Sequence, residues 1–105
     1  MIRVVGIDPG TRVTGYGVVE GDASSLSCVA CGTIILHEGR PLSQRLGDLH
    51  ETLTRILAET KPDEAAVERV FVAKNADAAL KLGHARGVIL LTLHEADLPF
   101  CEYAP

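Results

Sequence analysis

Apolar residues along this chain change their period once, near residue 40. Before it they come in short runs broken by glycines and turn residues. The run Arg3 to Ile7 reads as a buried strand, with Pro9-Gly10 as the turn that ends it. Val13 to Glu20 sets Gly15 and Gly17 among Val13, Tyr16, Val18 and Val19, the pattern of a second strand with close backbone approaches. Gly21-Asp22 is a turn signal, and Leu26 to Leu36 reads as a third strand. Together the three predict an antiparallel meander.

Beyond it, Leu42, Leu46, Leu49, Leu53, Ile56 and Leu57 mark one face of an amphipathic helix. Pro41 suits its first turn and Lys61-Pro62 its end. Asp63 to Glu68 follows as a short strand. A strand, a crossover helix and another strand predict a right-handed connection and parallel pairing with an earlier strand. Asn75 is positioned to cap a second long helix, Ala76 to His94, and Leu98 to Tyr103 closes the chain as a strand, with Pro99 at an edge or first position. The order is β-β-β-α-β-α-β, a mixed α/β fold.

Composition changes this picture little. At 105 residues, 47% hydrophobic, the chain is one globular domain. With two Phe, two Tyr and no Trp, its core must be built from Val, Leu, Ile and Ala. The longest apolar run, Val88 to Leu93, is too short to span a bilayer, and the N-terminus meets Asp8 too early for a signal peptide. The expectation is a cytoplasmic protein with no membrane partner. A net charge of −4 counts against a protein that coats nucleic acid through excess cations, though not against an enzyme that gathers metal ions with carboxylates. The three cysteines are an odd number, which argues against a disulfide framework. Cys28 and Cys31 form a CxxC pair, but residues three apart on a strand should face opposite sides, so a shared zinc ion is not expected.

Chemistry enters at two carboxylates. Asp8 ends the first strand and Glu68 ends the strand after the first helix. Ligands of α/β sheets gather at the carboxyl ends of parallel strands. If the two strands are neighbours, the acids sit side by side, where they repel unless a cation lies between them or one keeps a proton. Hard oxygen ligands favour Mg²⁺ or Mn²⁺. The same residues also read as an ordinary Asp-Pro-Gly turn and a solvated strand end.

The segment GIDPGTRVTGYGVVE, followed by VERVFVAKNADAALKLGHARGV from Val67 to Val88, resembles the RuvC family of Holliday junction resolvases. The likeness runs in order through most of the chain, to Leu98-Pro99 and Glu102-Tyr103-Ala104. It implies a ribonuclease H-like fold over residues 1–105, a mixed five-stranded sheet lacking the family's final helix. It also implies a homodimeric endonuclease that cuts four-way junction DNA with Mg²⁺ and works beside a branch-migration helicase complex. Asp8 and Glu68 match the family's first-strand catalytic aspartate and its catalytic glutamate. Paired metal ions about 4 Å apart need such acids to hold them. Phe71 matches an aromatic that stacks on a base at the junction centre, and Lys74 a basic position of the junction-contacting loop. Arg69, beside them, reads equally as a phosphate contact or a solvated charge.

On the second helix, Ala79, Gly83 and Gly87 recur at steps of four, a small-residue ridge that lets another backbone approach. The resemblance places this helix in the dimer interface; the plain reading is packing on the chain's own sheet, and both can hold on different faces. The four histidines are scattered and form no ligand cluster. Family members continue past the Tyr103-Ala104 strand end to a helix that carries further acidic ligands, and nothing after Glu95 here replaces them. Weak or absent cleavage is therefore expected of this chain, together with an uncovered sheet face that promotes self-association. Three other readings compete: a non-catalytic junction-binding or dimerisation module, a related nuclease processing ribosomal RNA precursors, and a fragment of a sugar-kinase or actin-like ATPase. The block around Phe71 disfavours the second, and the absence of room for a second lobe disfavours the third.

Overall fold

A computed structural model of the chain describes residues 1–69 and 75–103. Three strands come first: β1 (Ile2–Asp8), β2 (Val13–Gly21) and β3 (Leu26–Ile35). They pair antiparallel as a meander, as the turn signals predict. Helix α1 (Leu42–Thr60) then crosses to β4 (Glu64–Glu68), helix α2 (Ala76–Glu95) follows, and β5 (Phe100–Tyr103) ends the sheet. β1 pairs parallel with β4, and β4 with β5. The spatial order is β3-β2-β1-β4-β5, so β1 is the central strand. The expected β-β-β-α-β-α-β order holds, with boundaries within about two residues.

Both helices cover the same face. Val5 and Ile7 of β1, Val18 of β2 and Ala65 and Val67 of β4 are buried there against Leu49, Leu53, Ile56 and Leu57 of α1 and Ala85, Ile89 and Leu93 of α2. The buried face of α1 follows the predicted leucine stripe from Leu49 onward, whereas Leu46 is half-buried and Leu42, in the first turn, is exposed. Lys61 ends α1 in the left-handed conformation, φ 48°, its N–H bonding the Leu57 carbonyl. At the start of α2 the Asn75 side chain accepts from the Ala78 N–H at 2.8 Å, the expected cap. The two helices are also pinned by a polar contact. Thr92, fully buried, donates its hydroxyl to the Val88 carbonyl and so accepts from His50 Nδ1 at 2.9 Å.

On the other face no helix lies among the described residues. There Val4, Gly6 and Asp8 stand opposite Val19, Gly17 and Gly15. Small residues at these positions leave an open groove of about 660 Å³ along the sheet. No described helix is long and apolar enough to cross a membrane.

One expectation is overturned on this face. β3 carries a bulge: Ala30 pairs with Val18 but Cys28 pairs with Val19, leaving Val29 as the extra residue. Strand parity is reset across it. Cys28 and Cys31 therefore stand opposite Val19 and Gly17, two residues of one face, and share that face instead of opposing each other.

Candidate active site

The Ile7–Val67 pair is the last in register between β1 and β4, and the next residue on each strand is an acid. Asp8 and Glu68 thus end neighbouring parallel strands on the open face. Their side chains come within hydrogen-bonding reach. That contact raises the Glu68 carboxyl above its ordinary pKa, with desolvation and the Asp8 charge acting in the same direction. The juxtaposition that the two strand ends predict is present.

The turn after Asp8 is held from several sides. The Gly10 N–H donates to Thr14 Oγ1 at 3.3 Å, and the same hydroxyl donates to the Gly10 carbonyl at 3.3 Å. Thr14 is fully buried. Arg45 of α1 donates to the Thr11 carbonyl at 2.6 Å, and the Leu36 N–H to the Arg12 carbonyl at 2.7 Å. A side chain at Gly10 would place its Cβ 2.0 Å from the Val13 carbonyl oxygen, so only glycine fits this turn. The aspartate is delivered by a braced loop, not by a free strand end.

A third residue joins the pair, one that the sequence alone does not mark. Tyr103 pairs with Glu68 across β4 and β5, and lines the groove with Asp8. Desolvation raises its phenol above the ordinary value, and the charges of Glu68 and Asp8 add to the shift. Locating it requires β5 to neighbour β4 with a known register, which residue periodicity does not supply.

Arg69 follows Glu68 directly. Its N–H donates to the Tyr103 carbonyl at 2.7 Å and its guanidinium lies 3.5 Å from the Glu102 carboxylate. Glu102 also meets Arg86 of α2 at 2.6 Å. About half of the Arg69 side chain is exposed, so it is an anchored residue with an accessible flank. Phe71 and Lys74 lie outside the described residues.

The donor chemistry suits one hard divalent ion. Asp8 and Glu68 could hold Mg²⁺ between them, leaving its other ligands to water or phosphate oxygens. Among the described residues no group of three or more His, Cys, Asp and Glu converges on one point. The pair is therefore a minimal acidic set.

On α2 the predicted small-residue ridge faces outward. A Cβ added at Gly83 or Gly87 would meet nothing within 4 Å. Leu80 and Leu91 beside them are exposed, and the residues that α2 buries against the sheet are others. Among the described residues Gly83 and Gly87 pack on nothing of this chain, and α2 packs through its other face, with Ala85, Ile89 and Leu93. Lys81 pairs with Asp77 one turn back, and Arg86 turns to Glu102. His37, His84 and His94 are exposed and His50 is half-buried in its contact with Thr92.

Comparison with known proteins agrees with this geometry. The family profile described as "Crossover junction endodeoxyribonuclease RuvC" matches residues 4–105. The RuvC protein of Azorhizobium caulinodans is 51% identical over 105 residues, which is 100% of this chain and 62% of that protein. The RuvC of Halorhodospira halophila is 50% identical over the same span. Among solved structures, T. thermophilus RuvC in complex with a Holliday junction substrate superposes with a TM-score of 0.93 at 28% identity, over 99% of this chain and 66% of that one. The chain thus spans about 62% of the length of the curated relatives it matches.

Proposed function

Because this chain belongs to the family of crossover junction endodeoxyribonucleases called RuvC, we propose that it carries the first half of the metal-dependent centre with which such an enzyme cuts four-way DNA junctions. One observation carries the reading: Asp8 and Glu68, ending adjacent parallel strands, face each other on the open side of a ribonuclease H-like sheet.

Asp8 and Glu68 would hold Mg²⁺ or Mn²⁺. When bound, the ion supplies Lewis-acid activation of water and charge stabilisation at the leaving oxygen of a phosphodiester. The residues themselves do the positioning. The braced turn fixes Asp8, pairing with β5 fixes the end of β4, and the open groove leaves room for a phosphate backbone to approach. The Asp8 contact raises the Glu68 carboxyl, so a proton and a cation would compete for the pair.

The likeness to a RuvC solved with a Holliday junction substrate supports four-way junction DNA as the partner. In this reading Phe71 stacks on a base at the junction, Lys74 contacts phosphate, and Arg69 offers its exposed flank to the backbone nearby. A second copy docks along the ridge of α2, so that two acidic pairs meet the two strands to be cut. A branch-migration helicase complex is the further partner that the family implies.

Two acids hold paired ions weakly, so the 105-residue chain is expected to bind a junction better than it cleaves one. The test incubates it with a synthetic four-way junction or a matched duplex, with Mg²⁺ or EDTA. Preferential junction binding, with little nicking and none in Asp8→Asn, supports the proposal. Equal affinity for duplex and junction would refute the junction reading. Nicking that survives in Asp8→Asn would refute the role of the acidic pair.

A further inference from the structure

Cys31 lines the same open groove as Asp8, but the acidic pair uses neither Cys28 nor Cys31, and the bulge at Val29 changes what these two thiols can do. We infer that Cys28 and Cys31 form a two-thiol site on the open face of β3 for a soft, two-coordinate cation of the Cu(I) class. With Val29 taken up by the bulge, the two cysteines stand opposite Val19 and Gly17, residues two apart on β2. Their Cα atoms are then about 7 Å apart, twice the rise of a strand. That is just beyond the Cα separation of a relaxed disulfide, about 4.4–6.8 Å. It is close enough for two thiolates leaning along the strand to share one ion between them.

The Cys28 sulfur already leans that way, 3.6 Å from the Ala30 carbonyl oxygen on the strand path to Cys31. Opposite Cys31, Gly17 presents no side chain, and a Cβ built there would touch nothing within 4 Å. Both thiols are free and exposed on the edge strand of the sheet.

The ligand count selects the ion. No third His, Cys, Asp or Glu converges on the pair among the described residues, so tetrahedral Zn²⁺ has no complete set of ligands. Soft thiolates with linear geometry suit monovalent d¹⁰ ions. Cys101 cannot join, although it lies in the same cross-strand row as Cys31, through Gly17, Gly6 and Ala66. Four strand spacings separate them, roughly 19 Å. Binding converts two thiols and Cu⁺ into a bis-thiolate complex of charge −1 and releases two protons.

The test is an anaerobic titration of the reduced chain with Cu(I) against a chromophoric Cu(I) chelator. One tight equivalent is expected, undisturbed by tenfold Zn²⁺. Cys28→Ser and Cys31→Ser should each weaken binding by about 100-fold or more, as loss of one of two soft ligands implies. Cys101→Ser and Asp8→Asn should bind as wild type does, which separates this site from the acidic pair. Circular dichroism melts of the serine variants establish that they are folded. Unchanged affinity in either Cys28→Ser or Cys31→Ser would overturn the inference, as would dependence on Cys101 or a copper-bridged dimer in sedimentation.

Discussion

Asp8 and Glu68 are one register step beyond the Ile7–Val67 pair of β1 and β4, and their carboxyls come within hydrogen-bonding reach. The cost of that approach has a definite sign. Glu68 keeps its proton to a higher pH in the folded chain than in the unfolded one. Between the two pKa values the folded state binds more protons, so this pair loses stability as pH rises through that window. Glu68→Gln should therefore be more stable than wild type at pH 7, with the gap closing as pH falls below the carboxylate range. Urea melts from pH 4 to 7 measure it. A gap that does not vary with pH, or a Gln variant less stable at pH 7, contradicts the account.

A divalent ion should reverse the penalty. If the two acids share Mg²⁺ or Mn²⁺, the ion binds the folded chain only, adding about 2.7 kcal/mol at a hundredfold excess over its Kd. Wild type should melt at a higher temperature with either ion than with NaCl of equal ionic strength. Asp8→Asn should lose most of that increment. An equal increment in both proteins would assign the ion to some other place on the surface.

Much of this architecture is legible in the residue pattern, for identifiable reasons. The change from strand to helical spacing falls between Leu36 and Leu42, and Asn75 and Lys61-Pro62 sit at the helix ends. A crossover helix predicts parallel pairing of β4 with some earlier strand; that the partner is β1, which sets Glu68 beside Asp8, is seen only in the register. What stays hidden depends on register. The bulge at Val29 has no glycine to announce it, so the shared face of Cys28 and Cys31 is invisible to strand alternation. Tyr103 joins the acids only through the pairing of β4 with β5. Glu102 gathers Arg69 and Arg86 from segments that no local spacing connects.

The turn behind Asp8 should tolerate no side chain. At Gly10 a Cβ would lie 2.0 Å from the Val13 carbonyl oxygen, a backbone atom that cannot rotate away. Gly10→Ala must open the turn, breaking its paired contacts with the buried Thr14 hydroxyl. A loss of about 2–4 kcal/mol is expected, the upper range for single substitutions. The divalent-ion increment in melting temperature should fall with it, because Asp8 moves. An alanine variant with wild-type stability would mean that the turn has a second conformation of equal energy.

Glycines on α2 should behave in the opposite way. Gly83 and Gly87 sit in mid-helix, where each costs about 0.5–1 kcal/mol relative to Ala, yet no neighbour within 4 Å requires their lack of a side chain. Within one chain, then, alanine at either position should stabilise by that amount. If the ridge they form between Leu80 and Leu91 is where a second copy docks, close backbone approach is the reason for keeping them. Gly83→Ala should weaken self-association while raising monomer stability, and Gly87→Arg should abolish association with the fold intact. Sedimentation velocity read beside urea melts separates the two effects. Association that persists in Gly87→Arg would place the dimer contact on another surface.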